Sequence, residues 1–108
     1  MSYIIYKNRD NSFAIQLTSD SSALTAAEMS DISKVELLFK ETYYNSEDYP
    51  SAFDWSTRAS EGVIVFYLGE ITDIETGLDT ATLIIYNTAN PDGIIWDTFG
   101  LRVKDISE

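Results

Sequence analysis

Asp73-Ile-Glu75-Thr-Gly77-Leu-Asp79 sets carboxylates at alternate positions around a glycine, which is how a calcium loop gathers oxygen ligands. The run lacks the EF-hand pattern, and no glutamate stands where a bidentate ligand is required. It therefore reads as a solvated turn between strands, with binding of a divalent cation as the alternative. Glycosidase chemistry would also need two carboxylates. With 18 Asp and Glu residues, pairs arise by chance, and a small β-domain rarely spares the cleft that such a pair must flank. Any general acid or base here would have to be Asp, Glu, Lys or Tyr, because the chain has no histidine and no cysteine. That double absence removes Ser-His-Asp and Cys-His nucleophile systems, zinc-thiolate sites and disulfides. The chain is expected not to be an enzyme and to carry no cofactor and no resident metal.

Aromatic chemistry is more concentrated. Tyr43, Tyr44, Tyr49, Phe53 and Trp55 fall within 13 residues, in the longest stretch that reads as irregular, 41–50, and just after it. Phe53 and Trp55 suit a core. Tyr43, Tyr44 and Tyr49 suit contact with a partner, because tyrosine combines apolar area with a polar handle and is enriched at interfaces. Tyr3-Ile-Ile-Tyr6 poses a related choice. Residues 1–7 are either a first strand or an N-terminal arm that adds to a neighbour's sheet edge, with Tyr3 and Ile5 as contacts. Arg102 and Lys104 alternate with Leu101 and Val103, so they mark the solvent face of a last strand whose edge could meet a partner.

The elements that must position these residues are strands. Phe13, Ile15 and Leu17 alternate, as do Val35, Leu37 and Phe39. Gly62–Gly69, Thr80–Asn87 and Gly93–Lys104 are rich in β-branched and aromatic residues, and Asn90-Pro-Asp-Gly93 is a strong turn signal. Thr25-Ala-Ala-Glu28 has the spacing of a capping box and predicts one short helical turn near residues 25–30. The pattern is all-β: one domain over 1–108, an Ig-like antiparallel β-sandwich of about six to eight strands, with a small barrel second.

At 108 residues the chain can bury a core without staples, and its net charge of −11 would repel phosphates and anionic membrane surfaces. The seven basic residues are dispersed, so neither nucleic acid nor a membrane is an expected partner. No signal peptide is evident in residues 1–10, and no apolar run approaches the ~20 residues of a membrane span.

From Phe53 onward the chain resembles small Ig-like structural proteins of tailed-bacteriophage virions. The resemblance lies in Phe53-Asp-Trp55, in Val63 to Gly69 ending Tyr-Leu-Gly, and in Leu83-Ile-Ile-Tyr86-Asn87. It continues through Asn90-Pro-Asp-Gly93-Ile-Ile-Trp96 and a closing Phe99-Gly-Leu-Arg-Val103. It covers about half the chain and implies a non-catalytic subunit of the virion, assembled through symmetric copies in capsid decoration or at the head, neck or tail. Other virion proteins and further copies of the chain would be its partners. The alternative is a monomeric binding module for a carbohydrate or protein ligand.

Overall fold

A computed structural model describes residues 2–105. Met1 and residues 106–108, the extremes of the expected 1–108 domain and of the 1–7 arm, lie outside them. Among the described residues the chain forms ten strand segments: β1 (Ser2–Tyr6), β2 (Phe13–Gln16), β3 (Thr18–Ser19), β4 (Ser22–Ala23), β5 (Lys34–Phe39), β6 (Thr42–Asn45), β7 (Phe53–Asp54), β8 (Val63–Phe66), β9 (Gly77–Tyr86) and β10 (Ile94–Lys104). The count exceeds the expected six to eight because β3, β4 and β7 are only two residues long. One helical turn, α1 (Ala26–Ser30), sits where the capping box predicts it: Thr25 Oγ1 accepts from Glu28 N–H, and Glu28 Oε1 accepts from Thr25 N–H.

The fold is an all-β sandwich. A five-stranded sheet in the order β1-β10-β9-β5-β6 faces a three-stranded sheet in the order β2-β8-β7, and β3 and β4 form a separate hairpin. Every pairing is antiparallel except one: the first strand lies parallel to the last, with Ile5 opposite Val103. Residues 2–6 are therefore a strand of the chain's own sheet rather than a free arm, and the Lys7 N–H still reaches the Lys104 carbonyl at 2.8 Å. The inner face of the larger sheet presents Ile5, Leu37, Phe39, Leu83, Leu101 and Val103, all almost fully buried. Ile15, Phe53, Ile64 and Phe66 meet them from the smaller sheet, and Leu17, Met29, Leu68, Ile71 and Ile74 join the same cluster. Period-two alternation explains the split, since successive side chains of a strand point to opposite faces.

Two turns are built without the usual residues. Asp20 and Ser21, between β3 and β4, have φ of 52° and 68°, and Lys40 and Glu41, between β5 and β6, have the same pair of values. Two consecutive positive φ angles define the tight hairpin turn that Asn-Gly usually supplies. In consequence Tyr43 and Tyr44 lie on a strand, contrary to the irregular reading of 41–50.

Candidate functional interface

The expected contact residues divide by the face of the strand they occupy. Tyr43 and Tyr44 are adjacent on β6, so they point in opposite directions. Tyr43 is 56% exposed on the outer face of the five-stranded sheet, whereas Tyr44 is 2% exposed in the core, where its hydroxyl accepts the Glu75 N–H at 3.2 Å. Ile5 is 1% exposed. Neither Ile5 nor Tyr44 is at the surface to meet a partner, which corrects the contact reading for both. Tyr3 also faces inward, stacked on Phe13 with centroids 4.1 Å apart and edge-on to Phe99 at 5.4 Å. On β1 the outward pair is Ile4, at 61% exposure, and Tyr6.

Tyr49 is half-buried, and its hydroxyl donates to Asp73 Oδ1 at 3.0 Å. The hydrogen bond to that carboxylate is the main reason its pKa lies above the ordinary tyrosine value. It fastens the β6–β7 connection to the loop before β9. Among the described residues no three carboxylates gather as metal ligands, and Asp79 Oδ1 instead accepts the Thr80 N–H at 2.8 Å. Of the two aromatics assigned to the core, Phe53 is buried and Trp55 packs against it half-buried.

Arg102 and Lys104 are exposed on the outer face of β10, beside Ile4 and Tyr6 of β1. The Lys104 ammonium sits 6.0 Å from the Tyr6 ring, and among the described residues neither cation is in an ion pair. Sequence spacing gave their face correctly.

What spacing did not reveal is the company that face keeps. In register across the sheet run Tyr43, Leu38, Thr82 and Thr98, and beside them Asn45, Glu36, Ile84 and Ile95. Ile95 is 68% exposed, and Leu78 is similarly bare. At this end a depression of about 430 Å³ opens between Glu36, Tyr43, Ile84, Tyr86, Asp92 and Ile95. The Tyr86 hydroxyl donates to Glu36 Oε1 at 2.7 Å, and the Lys34 ammonium lies 4.4 Å from the Tyr86 ring centre. The bond to Glu36, then burial, pushes the Tyr86 pKa up to about 12. The one available signal was the run Thr82–Tyr86, in which both alternating sets of side chains are large; an outer face built from Ile84 and Tyr86 is more apolar than solvent requires.

A second depression, of about 460 Å³, lies by the β1–β2 corner between Arg9, Asp10, Ser51, Tyr67 and Glu70. Its charges are mixed and exposed, with no acid–base pair set against a nucleophile. Among the described residues no helix is long and apolar enough to cross a membrane. Comparison with protein-family models and with curated proteins finds no match to this chain.

Proposed function

We propose that the chain is a structural protein of a tailed-bacteriophage virion, working by protein–protein contact in capsid decoration or in the head–neck–tail assembly. The observation that carries the contact reading is the outer face of the five-stranded sheet. There Ile4, Tyr43, Leu78 and Ile95 each leave more than half of their surface bare, on strands whose other side carries the core. A broad face that mixes bare apolar side chains with threonines and charges, and has only a shallow depression, suits another folded surface better than a small substrate. Catalysis has no part in this reading, and the virion setting rests on the resemblance of the second half of the chain.

The test is quantitative mass spectrometry of particles purified from a culture that carries the gene. The expected result is this chain at a fixed ratio to the major capsid protein; its presence only in the particle-free supernatant would sink the reading. A second reading, a carbohydrate-binding module, draws on the Tyr43 and Tyr86 rings beside the Glu36 carboxylate. It predicts that oligosaccharides shift the amide resonances of β6 and β9 selectively.

A further inference from the structure

We infer that the outer face of the five-stranded sheet docks onto the same face of a second copy, related by a two-fold axis that brings Arg102 of each into the Glu36–Asp92 depression of the other. The inference rests on the protein-contact reading above and names the partner.

The first support is the distribution of charge along that face. At the Tyr86 end, Glu36, Glu47 and Asp92 stand against Lys34 alone, with Lys34 and Glu47 3.7 Å apart. Three carboxylates against one ammonium leave that end at −2. At the other end Arg102 and Lys104 stand together outside any ion pair among the described residues. A chain of net charge −11 repels a copy of itself in most orientations. Turning one copy end for end is the arrangement in which opposite signs meet at both ends.

The second support is shape. Between the two ends the outward positions of β9 and β10 are small: Thr80, Thr82, Thr98 and Gly100. Counted along β9, Thr82 is midway between Leu78, which pairs with Arg102, and Tyr86 in the depression. A two-fold axis near the Thr82–Thr98 pair therefore exchanges the basic end with the acidic one. Packed sheets lie about 10 Å apart. Small residues at the axis permit that approach, and an arginine side chain spans the gap. In the depression its guanidinium meets the Asp92 carboxylate, on the Glu36 side, and the face of Tyr86, the partners that a planar cation prefers. Exposed Leu78 of each copy comes against the Tyr86 end of the other, and Ile95 against the small Thr80–Gly100 level, which covers part of the bare apolar area.

Strand spacing of about 4.8 Å and a rise of about 3.4 Å per residue give a footprint of about 500 Å² per copy, below the ~800 Å² of a standard interface. The dimer is therefore expected at the weak end of specific association.

Sedimentation equilibrium of the full chain from about 10 µM to 1 mM tests this with a charge swap. Wild type is expected to approach twice the 12.2 kDa chain mass. R102E and D92R, both at exposed positions, should each keep the wild-type thermal midpoint and weaken the dimer about tenfold or more. An equimolar mixture of the two variants should recover it. In the mixed pair the introduced carboxylate meets the introduced guanidinium at one contact, and the native pair is kept at the other. A mixture no heavier than its components, or single variants that dimerise as wild type does, overturns the proposal. So does a wild-type chain that stays monomeric at 1 mM, and the particle measurement then still decides the virion reading by itself. A dimer that passes the swap but is missing from particles keeps this inference and removes that reading.

Discussion

Tyr86 stands between two charges of opposite sign, with the Lys34 ammonium over its ring and its hydroxyl on the Glu36 carboxylate. Its pKa of about 12 in the folded chain exceeds the unfolded value near 10, so folding favours the neutral phenol. The stabilisation is complete below pH 10 and is lost as pH rises through 12. Thermal midpoints recorded across pH 9 to 12 should fall more steeply for wild type than for Tyr86→Phe, which lacks the titrating group; parallel curves would refute the linkage. The neighbouring tyrosines offer a contrast in burial alone. Tyr44→Ala opens a cavity in the core and is expected to cost about 3–5 kcal/mol in urea unfolding. Tyr43→Ala, on the surface one residue earlier, should stay within about 0.5 kcal/mol. Their different fates were not legible in the sequence, where both fell in a stretch read as irregular. The hairpin that separates them turns at Lys40-Glu41, residues that seldom adopt positive φ and so give no turn signal.

Among the elements, β1 depends on a corner that admits no side chain. Gly69 does not have positive φ; its constraint is space. A Cβ there would press on the Arg9 carbonyl, come within 2.7 Å of Asn11 Nδ2 and within 2.9 Å of the Tyr6 carbonyl. Those atoms close the β1–β2 turn, in which Asn11 bonds both the N–H and the carbonyl of Tyr6 and the Asn8 N–H reaches the Gly69 carbonyl at 3.0 Å. Gly69→Ala should cost about 1–3 kcal/mol through overpacking. It should also speed amide exchange at Tyr6, Lys7 and Asn8 ahead of the β9–β10 hairpin, whereas uniform loss of protection would mean the corner is not a local fastening. Elements with period-two alternation or a capping box were readable from residue types, as β2, β5 (despite Leu38) and α1 illustrate. The first residues of β9 were not. Gly77, Leu78 and Asp79 carry no sustained apolar pattern; they are strand because β10 supplies backbone partners from Leu101 to Val103. Such pairing is a long-range fact that local composition does not encode.

For the whole molecule, 42 Å long and about 25 Å across, the sequence conveyed an all-β sandwich but not which faces remain bare. That depends on strand order, since Ile4, Leu78 and Ile95 come from three strands and share a face only because β1, β9 and β10 are neighbours. Strand order also governs how the molecule carries a load. Its first and last strands are adjacent and parallel, so tension applied at Ser2 and Lys104 drags them past one another along their length. Their hydrogen bonds must then yield together in shear. Pulling at Leu78 and Lys104, by contrast, opens the β9–β10 hairpin from its free end, one bond at a time. The chain has no cysteine of its own, so thiol handles at either pair of positions are unique. In an optical trap the Ser2–Lys104 axis is expected to rupture at several-fold higher force than the Leu78–Lys104 axis; equal forces would show that the parallel pair bears no load. Built this way, the β1–β10 pair takes tension along its length as a cable does, whereas the β9–β10 hairpin parts like a zip.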